Sequence, residues 1–157
     1  MRPNRRVLAG AVAALLIISA AWLFWDDHSR RSADRAGLGA MQAARDSIVA
    51  MLSYGPDTVE KDLDAARDRL TGRFLDDYTQ LIKTVVIPDA RQRTITATAQ
   101  VPSAAVVSAE DDRVLVLAYV DQTMTVGTEK PAVTASTVRV SMEKVDGRWL
   151  VAAFEQI

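Results

Sequence analysis

The chain has 157 residues, no cysteine, one histidine and a formal net charge of −1. Without cysteine there is no disulfide framework, no thiolate metal site, no cysteine nucleophile and no lipoprotein anchor. Setting aside Arg2, Arg5 and Arg6 leaves sixteen basic against twenty acidic residues, so the rest of the chain offers no basic face for nucleic acid.

From Val7 to Trp25, nineteen residues run without a charge. A membrane-spanning helix needs roughly 20 apolar residues to cross the hydrocarbon core. Arg2, Arg5 and Arg6 precede the run and Asp26 and Asp27 follow it, so residues 1–6 are expected to stay in the cytoplasm and the rest outside. Trp22 and Trp25 would sit at the outer headgroup level. The competing reading is a cleaved signal peptide with Ser19-Ala20-Ala21 at its cleavage site. The apolar run continues past that point through Trp25 and is longer than an ordinary signal core of about 7–15 residues, which favours an uncleaved anchor. Residues 26–35 are a polar juxtamembrane connection. That leaves 36–157 as one extracytoplasmic domain, long enough for a core of its own.

Asp34 to Tyr54 reads as a helix, with Leu38, Met41, Ile48 and Leu52 at helical spacing and Val49 and Met51 widening the stripe. Gly37 and Gly39 weaken its first turns, and Gly55-Pro56 ends it. Asp57-Thr58-Val59-Glu60 has the pattern of a capping box. The helix it opens puts Val59, Leu63, Ala66 and Leu70 on one face. Thr71-Gly72 breaks that helix. A third then carries Phe74, Leu75, Tyr78, Leu81, Ile82, Val85 and Val86 inward, and Pro88 is expected to end it.

After Pro88 the hydrophobic period changes from near 3.6 to 2. Thr94 to Val101 alternates, with Ile95, Ala97, Ala99 and Val101 on one side and Thr94, Thr96, Thr98 and Gln100 on the other. Pro102 signals a bulge or an edge strand, and Ala104 to Ser108 resumes the strand. Glu110-Asp111-Asp112 is a turn. Arg113 to Val126 is too apolar on both faces for a wet edge and reads as a central strand. Ser136 to Val145 alternates again, Asp146-Gly147 is a hairpin turn, and Arg148 to Gln156 is the last strand. Helices followed by a meander imply an α+β domain, with about three helices on one face of a curved, four-stranded antiparallel sheet.

Several segments together resemble the Mce-associated membrane proteins of actinobacteria (Mce standing for mammalian cell entry). They are Val86-Ile87-Pro88-Asp89-Ala90 followed by Ile95, the stretch Val101 to Ser108, Val120-Asp121-Gln122-Thr123, Ser136-Thr137-Val138-Arg139-Val140, and Lys144-Val145-Asp146-Gly147-Arg148-Trp149-Leu150. The likeness runs from Val7 onward. It implies a single-pass protein and a cone-shaped domain like the nuclear-transport-factor-two superfamily, a fold also seen in the periplasmic bridging component of type IV secretion. It further implies an accessory, non-catalytic role in stabilising or assembling Mce lipid-import complexes. The family has no catalytic motif to transfer.

Enzymes of this superfold place a His–Asp pair or an Asp base in the mouth of the cone. The single histidine, His28, precedes the domain. A lone base would have to be Asp121, with Tyr78 and Tyr119 as hydroxyls for a pocket. Against that reading, Asp121 is expected to face outward and the tyrosines to be aromatics with one satisfied O–H. Asp76-Asp77 and Asp111-Asp112 read as solvated pairs, because neighbouring carboxylates on a helix diverge by about 100°. No metal or cofactor is expected. Thr96, Thr98 and Arg139 are candidate surface contacts, lying opposite a face that looks buried. The reading favoured is a non-enzymatic, membrane-anchored accessory protein, with Mce subunits as partners. The alternatives are a lipid or acyl-chain module lined by the small residues of the first strand, a secretion-system bridge, and an enzyme of the cone superfamily.

Overall fold

The computed structural model describes residues 33–157, so the apolar run Val7–Trp25 lies outside the described residues. No helix among them is long and apolar enough to cross a membrane. The described residues open within a helix, α1, whose described part covers 33–52. Its buried stripe is Ala36, Ala40, Ala44, Ile48 and Met51, spaced by three or four residues. That stripe is rotated from the one expected: Leu38 and Val49 point to solvent, and Met41 and Leu52 are half-buried. Small alanines set the contact face because they let the helix backbone lie close to the sheet. Ser47, also on this face, donates its hydroxyl to the Ala43 carbonyl at 2.7 Å and so is satisfied.

The glycines of α1 lie at these close contacts. A Cβ on Gly37 would meet the Val106 methyls from 3.4 Å, and one on Gly39 would meet the Trp149 indole nitrogen at 3.5 Å. The Gly37–Gly39 segment of α1 therefore lies against the ends of the first and last strands.

Helix α2, Val59–Arg67, buries Val59, Leu63 and Ala66 as expected. The capping box does not form. Thr58 takes the N-cap position with no side-chain cap bond, its hydroxyl donates to Asp62 at 2.6 Å, and Glu60 pairs with Arg91 at 2.6 Å. Helix α3, Gly72–Leu81, runs into a π-helical turn, Ile82–Val86, and on into α4, Ile87–Arg93. Pro88 thus does not end the third helix; it occupies the first turn of α4, directly after the π-helical turn. The wider π turn also shifts the phase of the stripe. Tyr78 and Ile82 are buried, and the next buried positions are Ile87 and Ala90, which leaves Leu81 and Val85 exposed.

Strands β1, Ile95–Ala109; β2, Arg113–Val126; β3, Ala132–Val145; and β4, Arg148–Gln156 form one antiparallel sheet in the order β1-β2-β3-β4. β2 is central, as its two apolar faces required. β3 begins four residues earlier than Ser136. Asp146 and Gly147 both have positive φ, 49° and 79°, the pairing that a tight primed hairpin turn needs. The inner face carries Ala97, Ala99, Val116, Ala118, Val120, Val138, Val140, Met142 and Val151, all buried against the helices.

Both sheet edges are guarded. The register of β1 slips between Gln100 and Ser103, around Pro102, and again between Val106 and Ser108. Tyr54 bridges Ala97, and Leu70 bridges Val151 on the opposite edge. A strand added from outside would meet bulges, a proline without a donor, and backbone groups already taken.

Two substitutions probe this packing. Ile48→Ala, at the fully buried centre of α1, should cost ~2–5 kcal/mol in urea unfolding. Gly39→Ala should instead stabilise by ~0.5–1 kcal/mol, since the new methyl meets the indole at ordinary contact distance and the helix loses a glycine. A destabilised Gly39→Ala variant would contradict the close docking described.

Candidate interaction surface

Tyr78 is buried, and its hydroxyl donates to the Met51 carbonyl at 3.3 Å. Phe74 lies 6.3 Å from Tyr78 and stacks on Phe154 at 6.4 Å, so aromatic rings fill the space between α3 and β4. Burial pushes the Tyr78 pKa far above the ordinary tyrosine value, with Tyr54 and Asp64 adding to the effect. Tyr54 is raised as well, first by burial and then by the charge of Asp89. Both phenols are held protonated by these shifts, and that of Tyr78 serves as a hydrogen-bond donor.

Among the described residues, the surface carries depressions of which these are examples. One, of about 290 Å³, is lined by Ser108, Glu110, Arg113, Ser141, Glu143 and neighbouring residues. The other, of about 280 Å³, lies between α1 and α2 and is lined by Ala50, Ser53, Asp62, Ala65, Ala66 and Arg69. Both are open and edged by charges, unlike the enclosed apolar cavity an acyl chain needs. No cluster of three or more acidic or histidine groups able to hold a metal occurs among the described residues.

The pocket candidates do not come together. Tyr78 is in the core, whereas Tyr119 and Asp121 are exposed on β2. The carboxylate of Asp121 therefore points to solvent, on the face away from the helices, and does not enter a mouth. Thr96, Thr98 and Arg139 are exposed too, and the register sets all five exposed candidates on this same outer face. Thr96 is opposite Thr125, Thr98 opposite Thr123, and Gln100 opposite Asp121; Tyr119 lies between Ser103 and Thr137, and Leu117 between Ala105 and Arg139. Arg139 reaches across to Glu155 on β4 at 3.6 Å.

Down the middle of this face run Leu115, Leu117 and Tyr119, alternate residues of β2 spanning ~13 Å. The two leucines are partly exposed and Tyr119 is 55% exposed. Threonines, serines and the Arg139–Glu155 pair flank them. An apolar and aromatic centre within a polar rim is the composition of a protein-binding patch. Leu115 and Leu117 were the residues missed from sequence. Their signal was present: β2 is apolar on both sides, yet the helices can cover only one.

Comparison with solved structures identifies the class of fold. An IcmL-like type IV secretion system protein from Legionella pneumophila superposes with a TM-score of 0.64 at 7% identity, covering 74% of this chain and 88% of the other. The VirB8 protein of Agrobacterium tumefaciens gives 0.61 at 14%, again over 74% and 88%. At such identities the likeness defines the fold, an α+β domain of the VirB8 kind, and nothing more. No family model matches the sequence. The chain is 49% identical over 150 residues to the outer membrane protein Rv1973 of Mycobacterium tuberculosis, covering 96% of this chain and 94% of that one, and it belongs to the family of that protein.

The buried phenol makes a testable contribution. A pKa raised by folding contributes stability that is whole below the unfolded value near 10 and is lost as pH rises above it. Urea midpoints should therefore fall from about pH 10 upward, by as much as ~1.4 kcal/mol per pH unit for Tyr78. Tyr78→Phe should flatten that fall while costing ~0.5–1.5 kcal/mol at neutral pH for the lost hydrogen bond. An unchanged alkaline profile in the variant would count against this account of Tyr78.

Proposed function

We propose that the protein is a single-pass, membrane-anchored accessory protein without catalytic activity, whose extracytoplasmic domain stabilises or assembles an Mce-type lipid-import complex. The observation that carries this reading is the Leu115–Leu117–Tyr119 ridge on a sheet face that no helix among the described residues covers, opposite the face that carries the core. The anchor is the run Val7–Trp25, and the membrane character agrees with the name of the Mycobacterium tuberculosis relative. The sheet is open, with helices on one face, so a helical anchor is the means of membrane attachment proposed here. The Mce assignment rests on the sequence resemblance given above.

The Legionella pneumophila neighbour is a type IV secretion system protein, which keeps a secretion bridge as the second reading. The open, charge-edged depressions weigh against a lipid carrier. Affinity purification of the full-length protein from its native host in mild detergent, with mass spectrometry of bound proteins and lipids, separates these readings. Mce or permease subunits are expected. Secretion ATPases would transfer the protein to the other branch of the fold, and lipid without protein would make it a carrier. In the same experiment Leu117→Asp and Tyr119→Ala should reduce recovery of the partner about tenfold or more, while the urea midpoint moves little because both side chains are outside the core.

A further inference from the structure

On the outer face β2 presents Arg113, Leu115, Leu117, Tyr119 and Asp121 in that order, at every second position. A cation stands ~13 Å before Leu117 and an anion ~13 Å after it. Neither Arg113 nor Asp121 belongs to any of the ion pairs among the described residues. The row therefore carries opposite charges at its two ends and apolar or aromatic side chains between them. Such a row is complementary to itself when reversed.

Laid face to face about a two-fold axis that crosses β2 at Leu117, two such rows run antiparallel. Arg113 then meets Asp121 of the second copy, Leu115 meets Tyr119, and Leu117 meets Leu117. Every contact off the axis occurs twice, as an isologous interface requires. The depression of about 290 Å³ supplies a socket. Leu115 is in its lining, with Ser108, Arg113, Ser141 and Glu143 around it. Tyr119, 55% exposed, is the side chain of the second copy that falls over it. An aromatic ring entering a recess is the usual anchor of a protein interface. Glu143 is opposite Arg113 on β3, and the guanidinium fork has donors enough for it and for the incoming Asp121. Arg139 is level with Leu117 and pairs with Glu155, so the two Arg139–Glu155 pairs meet beside the axis without net charge. At ordinary strand rise and spacing the four strands offer a face of ~800 Å², about the area that each side of a stable complex buries.

We propose that the outer sheet face is covered by a second copy of this chain, with β2 lying antiparallel over β2 of its twin, so that the working unit is a dimer. This inference rests on reading the outer face as a protein contact and names its occupant. Mce-type partners then engage the dimer, and a change at Leu117 or Tyr119 loses them by separating the two copies. The order of the charges fixes the direction of the pairing. A parallel copy would set Arg113 against Arg113 and Asp121 against Asp121, which like charges oppose.

Sedimentation equilibrium of the full-length protein in density-matched mild detergent reads the association directly. The wild type is expected to be a dimer. Arg113→Glu and Asp121→Arg each set like charges together twice and should weaken association about tenfold or more. The double variant Arg113→Glu/Asp121→Arg should return to within about threefold of wild type, because the reversed row is again complementary to itself. Urea midpoints of all three should stay near that of the wild type, since both side chains are exposed. A monomeric wild type overturns the pairing. So does a dimer that neither single variant weakens, or a double variant no better than the singles. Affinity purification from the native host is scored separately. A monomeric wild type that still recovers Mce or permease subunits, and loses them in Leu117→Asp, overturns the dimer and leaves the assembly role standing. A dimer rescued by the double variant that recovers no such subunit supports the pairing and removes that role.

Discussion

The structure depends on one contact: the alanine stripe of α1 lying directly on the inner face of the sheet. Ala36, Ala40 and Ala44 bring the helix backbone close, and Ile48 and Met51 then fill the deeper part of the layer. Everything downstream follows from how near that helix lies. The hollow that a cone-shaped sheet would otherwise enclose is occupied by α1 and by the Phe74–Tyr78–Phe154 aromatics. A dense interior of this kind transmits force and holds shape.

With the helices packed on the inner face, the edges and the outer face are the sides of the sheet left to consider. The strand edges are blunted by two bulges, a proline and two isolated bridges, so pairing of main chains is disfavoured. What remains is the outer face, where the pleat of β2 presents Leu115, Leu117 and Tyr119 between polar neighbours. The same alternation that buries Val116, Ala118 and Val120 puts these three outside. Core and candidate interface are two readings of one strand, and a change of register would exchange them.

Much of this was legible in the residues. The four strands, the central position of β2, the bulge at Pro102 and the Asp146-Gly147 turn all follow from period, proline and turn chemistry. The burial of Val59, Leu63 and Ala66 follows from helical spacing. Three local readings failed for physical reasons. The face of α1 was judged by its large apolar side chains, whereas close packing selected the small ones and left Leu38 outside. Pro88 was read as a stop, but a π turn before it placed it in the first turn of a new helix and moved the apolar stripe by one residue. The Asp57–Glu60 pattern looked like a reciprocal cap, yet Glu60 found Arg91 on α4, 31 residues away in the chain. In each case a tertiary partner decided between local options. The candidate site was half legible: Thr96, Thr98 and Arg139 were placed on the exposed face, and Asp121 and Tyr119 join them there, but the leucines between them emerged only with the register.

The proposed role as an assembly factor turns on whether the outer sheet face touches protein in the native envelope. The most direct measurement is photo-crosslinking in living cells, with a benzophenone side chain at position 119 and a control at Lys61, which is exposed on α2. Discrete protein adducts from 119 and none from 61 are the result the account predicts. Adducts from 61 with none from 119 would place the working surface on the helices and contradict it.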